Sequence, residues 1–527
     1  MTANVEPHVL AIDMGTGTVK AALVSRRGEV AAAAMRPITT RQLEGGGVEQ
    51  DPHEWWAAAL AASREALEHA TLPADRVIAV KCATQWSVTV PVDDEGEALT
   101  SAISWMDTRG AVHVRRVAGG PVKLAGYDVR KLRRWLRLTG GAPVLSGVDG
   151  LGHVLHLKHD RPEVYAATHK LLEPADYLNL RLTGRFAASF GTIFPYWLTD
   201  NRNARRIEYD PGLLRIAGLQ RDKFPDLVPV DAVLGPVLPA VAEQLGLAPG
   251  TRVMAGACDL QAAAAGAGAI RDGQGYFYVG TTSWLSCHVP SKRTDLRHML
   301  GTMPAGLPGR YVVVAEQGMA GRCLEFLKDN ILYPDGVGAP ADVYAVLESR
   351  AACVAAGSDG LIFTPWINGV FVPAEDPLTR SAFLNQTWRT TQGHYVRAVM
   401  EGVAYNVRWL KPYVERFAKT RFDELSFIGG GALSDVWTQI FADVLGVPVR
   451  RVSEPRLANA VGAGMLAFIA LGELAAEEVP ALVRGSVCEP SRERGLTYDA
   501  LFDQFLRFYK RTRPIYGRLN AHQRSVP

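Results

Sequence analysis

The chain has 527 residues, which is too many for one hydrophobic core and indicates two large domains, with three as the alternative. Hydrophobic residues make up 48% and charged residues 21%, as in a folded globular protein rather than a disordered or membrane-embedded one. The net charge of +3 is the balance of 57 basic and 54 acidic residues without long like-charged blocks, so no nucleic-acid partner is expected.

Membrane and export signals are also missing from the sequence pattern. The longest apolar stretch, residues 460–472, is shorter than the ~20 residues that a membrane-spanning helix needs, so no membrane association is expected. The first residues lack a basic start followed by an apolar run, which favours a cytoplasmic location. The six cysteines contain no Cys-x-x-Cys pair and are expected to be reduced thiols.

The first informative element is a glycine- and threonine-rich turn between two apolar runs, AIDMGTGTVKAAL, residues 11–23. Strand-like alternation continues after the turn, which predicts a β-hairpin. Small residues let backbone N–H groups approach an anion closely, so the turn is a candidate phosphate site. Because Gly15, Gly17 and Lys20 match neither the Walker spacing nor the dinucleotide fingerprint, a plain tight hairpin is the alternative.

The following segments alternate between helix and strand patterns. Residues 51–70 predict a helix, and residues 76–92 predict two strands before an Asp-Asp-Glu-Gly turn. This alternation indicates an α/β protein. Further on, His153, His156 and His159 have the spacing of a metal-binding stripe, but no carboxylate or cysteine joins them in a known pattern, so a solvated or partly packed face is favoured.

Asp259 is a single charge in the run MAGACDLQAAAAGAG, residues 254–268, which otherwise predicts a strand end leading into a closely packed helix. One interpretation makes Asp259 the N-cap of that helix, with Leu260 and Gln261 in the first turn. The other makes it a carboxylate at the mouth of a cleft, placed to accept a proton.

A second glycine–threonine turn follows in YFYVGTTSWLSCHV, residues 276–289, and repeats the pattern of the first. Two duplicated domains that face one ligand would explain the repeat. The segment RDGQG then marks the boundary between an N-terminal domain, 1–270, and a C-terminal domain, 271–527. Within the second domain, SFIGGGALSDVW, residues 426–437, predicts a strand, a glycine turn and a helix, an arrangement common in nucleotide sites.

In this order and over nearly the whole chain, the motifs resemble those of the FGGY carbohydrate kinases, a branch of the actin-like ATPase fold. The segments that carry the resemblance are Asp13-x-Gly15-Thr16 with Lys20, EQDPHEWW, ISWMDTRG, PADYLNLRLTG, GACD, VGTTS, FTPWINGVFVPAEDPLTRSAF, EGVAYNVR and GGGALSDVWTQIFADVLGVPV. The resemblance implies an α/β, two-domain actin-like ATPase (ribonuclease H-like) fold with an inter-domain catalytic cleft. It also implies ATP and Mg²⁺, and a small sugar or polyol as phosphoryl acceptor.

The resemblance further implies roles for individual residues. Asp259 corresponds to the catalytic base, and Asp13 to the carboxylate that works with magnesium. The residues expected to bind the nucleotide are Thr16, Gly17, Thr18, Lys20, Gly280, Thr281, Thr282, Gly321, Glu325, Gly430, Gly431, Ala432 and Asp435. Backbone N–H groups, a lysine and Mg²⁺ can supply most of the stabilisation of a phosphoryl-transfer transition state, so the chemistry agrees with this set.

Sugar binding calls for planar donors and acceptors beside an aromatic face, and Trp105, Asp107 and Arg109 offer these. An ordinary ion pair beside a core tryptophan is the alternative for these three residues. The resemblance adds a second group to the expected sugar pocket, consisting of Gln85, Trp86 and Ser87.

The expected acceptor is D-xylulose, although the chain departs from the usual xylulose kinase pattern. Those enzymes typically have Gln-Met-His-Gly where this chain has Gln-Trp-Ser-Val at 85–88, and Asp-Asn where this chain has Asp259-Leu260. Ribulose, erythritol or a glycerol-like polyol is therefore an alternative acceptor. An actin-like ATPase or sugar sensor without phosphotransfer is the competing class, and a homodimer is left open.

Overall fold

The computed structural model describes residues 6–521. The α-helices of this part of the chain span Pro52–Ala70, Ala111–Ala118, Val129–Leu138, Gly150–Asp160, Pro162–Ala167, Pro174–Thr183, Pro211–Ala217, Pro239–Leu245, Asp259–Gly266, Gly321–Leu327, Val343–Ala352, Gln392–Ala418, Asp435–Leu445, Ala458–Ala470, Val479–Leu482 and Arg492–Leu519.

Two large mixed sheets organise the fold. The order of strands in the first sheet is Val233–Pro236, Arg252–Met254, Val77–Thr84, His8–Met14, Thr18–Ser25 and Val30–Pro37, with Ala257–Cys258 also pairing Val77–Thr84. The order in the second sheet is Thr294–Asp295, Leu300–Pro304, Tyr311–Val314, Thr282–Val289, Gly275–Val279, Leu425–Ile428, Val449–Val452 and Arg484–Cys488, with Glu316–Met319 also pairing Thr282–Val289.

The described residues also form smaller sheets of two or three strands. Their strands are Arg41–Gln42, Val48–Gln50 and Ala102–Ile103; Val90–Val92 with Lys170–Leu172; Lys123–Leu124 with Tyr127–Asp128; Ala187–Ser189 with Asp226–Val228; Thr199–Asp200 with Glu208–Tyr209; and Ile362–Thr364 with Ala382–Leu384.

Both glycine–threonine segments form the predicted hairpins. The first hairpin joins His8–Met14 to Thr18–Ser25, and the second hairpin joins Gly275–Val279 to Thr282–Val289. In each sheet the first strand of the hairpin also pairs in parallel with a later strand, Val77–Thr84 in the first sheet and Leu425–Ile428 in the second. The carboxyl end of that parallel strand therefore lies at the same edge as the hairpin tip, so each half brings two loops together.

The first sheet is covered by a helix that its sequence specifies clearly. The Asp51 side chain accepts a hydrogen bond from His53 N, and Pro52 occupies the first position of helix Pro52–Ala70. Trp55 and a stripe of alanines on one face are buried, which lets the helix lie close to the hairpin strands. The predicted helix at residues 51–70 is thus confirmed.

The two halves of the chain meet through a pair of closely packed helices. Helix Ala458–Ala470, from the second half, packs against helix Asp259–Gly266 and the first sheet. A Cβ placed on Gly266 would lie 1.8 Å from the Ala458 carbonyl oxygen, and one on Gly462 would lie 1.9 Å from the Ala262 carbonyl oxygen. Because glycine removes this clash, the helix that begins at Asp259 is fixed against the opposite half of the chain.

The tertiary structure tests several local expectations. The strands Val77–Thr84 and Val90–Val92 both form, but they do not pair with each other, since Val90–Val92 pairs with Lys170–Leu172. His153 and His156 are buried, with His156 Nδ1 2.8 Å from Asp160 Oδ2, whereas His159 is exposed, so the three histidines form the expected partly packed face. Among residues 6–521, no cluster of three or more histidine, cysteine, aspartate or glutamate side chains is arranged to hold a metal ion.

Two further expectations concern thiols and membrane association. The six cysteines are unpaired, and four of them are buried. Within the described part of the chain, no helix combines the length and apolarity needed to cross a membrane.

Candidate active site

The tip of the first hairpin presents a carboxylate and a cation side by side. Asp13 and Lys20 are register partners on the two strands, and Lys20 Nζ lies 3.0 Å from Asp13 Oδ2. Asp13 is buried, whereas Gly17 at the tip is exposed. The turn closes with a hydrogen bond from Gly15 N to the Thr18 carbonyl oxygen at 3.0 Å. Asn459 Nδ2, from the second half of the chain, lies 3.5 Å from Asp13 Oδ1 and was not identified from the sequence.

A hydrogen-bond network ties this tip to residues predicted for the sugar. Trp105 Nε1 donates to Thr16 Oγ1 at 3.1 Å. Gln50 Nε2 donates to the Thr16 carbonyl oxygen at 2.7 Å, and Gln85 Nε2 donates to Gln50 Oε1 at 2.6 Å. Gln85 N also donates to the Met14 carbonyl oxygen at 2.7 Å. The structure therefore brings Thr16, Gln85 and Trp105 together in one connected network.

The tip of the second hairpin is held by the residues that directly follow strand Glu316–Met319. Gly321 N donates to the Gly280 carbonyl oxygen at 2.7 Å, and Ala320 N donates to the Thr281 carbonyl oxygen at 3.0 Å. A Cβ on Gly321 would lie 2.4 Å from that Gly280 oxygen, so glycine permits the close approach. Behind the tip, the rings of Tyr278 and Trp284 stack with centroids 4.0 Å apart.

The third glycine-rich element follows strand Leu425–Ile428. Gly429 adopts φ +94° and Gly430 is exposed, and a 3₁₀ turn then leads into helix Asp435–Leu445, as the sequence predicted. Ser434 caps this helix by accepting from Trp437 N. This turn lies beside the second hairpin, because a Cβ on Gly429 would meet the Val279 carbonyl oxygen at 2.5 Å.

Asp259 begins the helix rather than capping it. The N-cap residue is Cys258, whose backbone N–H donates to Gln261 Oε1 at 2.9 Å, so the N-cap alternative for Asp259 is wrong by one residue. Asp259 Oδ1 accepts from Leu260 N at 2.7 Å, and its side chain is partly exposed. The second hairpin reaches this helix, since Tyr276 Oη donates to the Leu260 carbonyl oxygen at 3.0 Å.

Electrostatics single out Asp259 among these groups. Burial raises its pKa to about 7; the Leu260 N–H lowers it, while the carboxylates of Asp13 and Glu316 raise it further. The pKa of Tyr278 is raised by burial and by the charges of Asp259 and Asp13. Asp259 therefore lies within electrostatic range of Asp13 on the first hairpin and of Tyr278 on the second.

Glu316 is a second acid that acts on Asp259, and it was not identified from the sequence. It lies on strand Glu316–Met319, opposite Trp284 of the second hairpin. Its side chain is solvent-accessible, yet the surrounding protein raises its pKa through desolvation. A lone glutamate in a strand carries no sequence pattern, so only the tertiary structure could identify it.

The predicted Asp107 and Arg109 form a closed ion-pair cluster. Asp107 is fully buried, and its Oδ2 accepts from Val48 N at 2.8 Å and from Arg109 Nη2 at 2.7 Å. Arg109 Nη2 also lies 2.7 Å from Glu49 Oε1. These contacts are those expected of the ion-pair alternative, and a direct role in sugar binding stays a prediction.

Trp86 and Ser87 lie in the segment that leaves the first sheet after Thr84. The Trp86 ring packs 6.1 Å from the Phe194 ring, against the cluster that contains Cys258 and Leu260. Ser87 adopts φ +60°, and its hydroxyl donates to the Val148 carbonyl oxygen at 3.1 Å. The structure thus places Trp86 near the helix that Asp259 begins.

The remaining predicted residues lie around the three glycine-rich elements. Thr18 and Thr282 begin the second strands of their hairpins, Gly431 and Ala432 are buried in the 3₁₀ turn, Glu325 lies on helix Gly321–Leu327 and Asp435 bonds Arg451 at 2.6 Å. Their contacts with a nucleotide stay predictions.

The residues present fit a nucleotide and Mg²⁺. A Cβ on Gly17 or on Gly430 would have no protein atom within 4 Å, so the backbone of two different loops borders open space that a ligand could approach. Asp13 supplies the hard carboxylate oxygens that Mg²⁺ prefers, and phosphates and water commonly complete such a site.

Comparison with known proteins agrees with this arrangement. The FGGY family of carbohydrate kinases, N-terminal domain, matches residues 8–266, and the C-terminal domain of the same family matches residues 275–471. The two sheets with equivalent hairpins agree with the two-domain actin-like ATPase fold, and the family match makes the protein a phosphotransferase. The chain belongs to the FGGY family of carbohydrate kinases.

Individual relatives carry more than one substrate name. The chain is 26% identical to the xylulose kinase of Bacillus subtilis, with 98% of this chain and 100% of that protein covered. It is 24% identical to the gluconokinase of the same organism, with 98% and 99% covered. The solved xylulose kinase of Rhodospirillum rubrum superposes with a TM-score of 0.80 at 27% identity, covering 97% of this chain and 99% of that one.

Proposed function

We propose that this kinase transfers the γ-phosphoryl group of ATP to a primary hydroxyl of a small neutral ketose, with D-xylulose as the first candidate. The observation that carries the proposal is the position of Asp259. It is a partly exposed carboxylate between the two sheets, and it interacts electrostatically with Asp13 of the first hairpin.

Asp259 has the properties of a general base for this transfer. Its pKa of about 7 lies near neutral pH, where a base combines substantial ionisation with substantial proton affinity. It would hold the acceptor hydroxyl and take its proton as the new phosphate bond forms. General base catalysis of this kind typically contributes ~10²–10⁴ in rate.

The hairpins supply the groups that hold a triphosphate. ATP with Mg²⁺ supplies the phosphoryl group when bound. On the first hairpin, Asp13 would hold the metal and Lys20 would face the phosphates, with exposed backbone of Gly17 beside them. Gly280 and Thr281 would present the second hairpin backbone from the opposite side, braced by Gly321.

Charge favours a neutral acceptor over a sugar acid. The charged groups that act on Asp259 are the carboxylates of Asp13 and Glu316. The two cations predicted for the site, Lys20 and Arg109, both pair with carboxylates. An aldonate such as gluconate would bring another negative charge towards this acidic surrounding, which costs binding energy.

The proposal is tested by measuring ADP release in a coupled assay with MgATP and five acceptors, D-xylulose, D-ribulose, erythritol, glycerol and D-gluconate. We expect one of the four neutral compounds to stimulate ADP release, with D-xylulose first and D-gluconate inactive. A rate of ADP release that no acceptor changes would instead support an ATPase or sugar sensor. A homodimer, the division near residue 270 and a cytoplasmic location stay predictions.

A further inference from the structure

A buried acid lies directly behind the segment predicted to bind the sugar. We define the sugar loop as residues 85–88, which lie between strand Val77–Thr84 and strand Val90–Val92. Glu173, immediately before helix Pro174–Thr183, is only 2% exposed, and its Oε2 accepts from Val88 N at 3.3 Å. The acid therefore contacts the backbone of the sugar loop from the side of the protein interior.

The position of Glu173 is unusual for an acid at the start of a helix. A residue at the N-cap normally accepts a hydrogen bond from its own helix, but the Glu173 side chain makes no such bond. Its Oε1 is buried without a hydrogen-bond partner. Burial raises the pKa of Glu173 well above the usual range, and the nearby carboxyl of Asp176 adds to this effect.

An acid buried in this way lowers the stability of the folded protein, so its presence calls for an explanation. A buried carboxyl with one unpaired oxygen is destabilising relative to an apolar side chain of similar size. The carboxyl accepts from the backbone N–H of Val88, which follows the left-handed residue Ser87 (φ +60°), and the backbone N–H of Ser87 acts on the same carboxyl. A non-glycine residue in that conformation needs support from its surroundings.

The other anchors of the sugar loop come from different parts of the domain. Gln85 is held by the Met14 carbonyl oxygen and by Gln50, and Ser87 donates to the Val148 carbonyl oxygen. Trp86 lies between these anchors and packs near the helix that Asp259 begins. Loss of the bond to Val88 would free the end of the sugar loop that follows Trp86.

We propose that Glu173 is a positioning residue: by accepting the Val88 N–H it holds the turn at Ser87, and with it the Trp86 ring, in the place where the sugar binds beside Asp259. The role in sugar binding rests on the proposed function, because it assigns residues 85–88 to the acceptor site. The anchoring of the sugar loop by Glu173 does not depend on that assignment.

The test uses the full-length protein and three variants. E173L removes the hydrogen-bonding oxygens at similar side-chain volume, whereas E173Q retains an oxygen that can accept the Val88 N–H. D176N is the control: it removes a buried acid on the adjoining helix, whose carboxyl accepts from Thr192 Oγ1 at 3.0 Å and not from the sugar loop. The rate of hydrogen–deuterium exchange in the segment containing Val88 measures how firmly the sugar loop is held. The KM values for MgATP and for the most active acceptor of the panel measure how the loop affects substrate binding.

For E173L we expect exchange at Val88 and the acceptor KM each to rise roughly tenfold, with the MgATP KM unchanged, because one buried hydrogen bond is lost. E173Q and D176N should leave Val88 exchange and the acceptor KM as in the wild type. Should E173L fail to fold, E173A supplies the same two readouts.

Unchanged exchange at Val88 in E173L, or equal increases in both KM values, would overturn the proposal, since the latter indicates general structural damage. If the wild-type protein phosphorylates none of the acceptors, the proposed function fails and the positioning role in catalysis falls with it. Faster Val88 exchange in E173L would then still show the anchoring by itself.

Discussion

Lys20 and Asp13 face each other across the first hairpin, with Nζ 3.0 Å from Oδ2. This ion pair holds the Lys20 ammonium group at the hairpin tip before any ligand binds, so the cation is already in position for a triphosphate. The buried carboxylate in turn keeps its second oxygen near Asn459 from the other half of the chain. The first hairpin and helix Ala458–Ala470 therefore meet at this ion pair.

Replacing Lys20 with methionine should weaken nucleotide binding selectively. A charge-assisted hydrogen bond is worth about 1.5–3 kcal/mol, so we expect the MgATP KM to rise roughly ten- to a hundredfold while the acceptor KM changes little. Steady-state kinetics with one substrate varied at a time measures this difference. K20R, which keeps the cation, is the matched control, and an equal loss in K20R and K20M would argue against a role for the charge.

Activity should depend on pH through Asp259. Only the ionised carboxylate can accept a proton, and the pKa of about 7 means that this form is lost as the pH falls through neutrality. We expect kcat/KM for the acceptor to fall about tenfold per pH unit well below that value. In E316Q the midpoint should move to lower pH, because one of the two nearby negative charges is gone. An unmoved midpoint would show that Glu316 does not act on the base.

Two neighbouring glycines should respond differently to the same substitution. A Cβ on Gly430 meets no atom within 4 Å, whereas one on Gly431 lies 2.9 Å from the Val279 side chain. G430V should therefore keep the wild-type melting temperature but raise the MgATP KM by crowding the nucleotide. G431V should lower the free energy of unfolding by about 1–3 kcal/mol, since it overpacks a filled space. Thermal unfolding and ATP kinetics of both variants separate these effects, and a wild-type MgATP KM in G430V would contradict nucleotide binding at this turn.

Trp86 should limit the range of acceptors. Its ring fills space beside Phe194 near the helix that Asp259 begins. W86H replaces it with a smaller and more polar ring, so we expect the ratio of kcat/KM for D-xylulose to that for glycerol to increase. The ratio is measured in the coupled ADP assay, and W86F serves as the aromatic control without the indole N–H. A ratio that is the same in all three proteins would place Trp86 outside the acceptor site.

Local chemistry made much of this structure predictable. The hairpins around Gly15 and Gly280 form from residues that are neighbours in sequence, and the helix at residues 51–70 carries its own cap and apolar stripe. The strand, glycine turn and helix after residue 425 follow for the same reason.

The contacts that could not be predicted from the sequence are those between residues far apart in the chain. The indole N–H of Trp105 donates to Thr16, which is 89 positions away in the chain, and the sequence pattern could not identify this partner. Glu173 and Glu316 are single acids without a pattern, so their neighbours Val88 and Trp284 could be found only in the folded chain.

The most direct test of the account compares wild-type protein with D259N by two measurements on the same samples, sugar-dependent ADP release and calorimetric binding of MgADP. We expect D259N to lose sugar-dependent ADP release by a factor of at least ~10² while it binds MgADP as tightly as the wild type, because the carboxylate acts on the acceptor and not on the nucleotide. Wild-type rates of phosphoryl transfer in D259N would contradict the account.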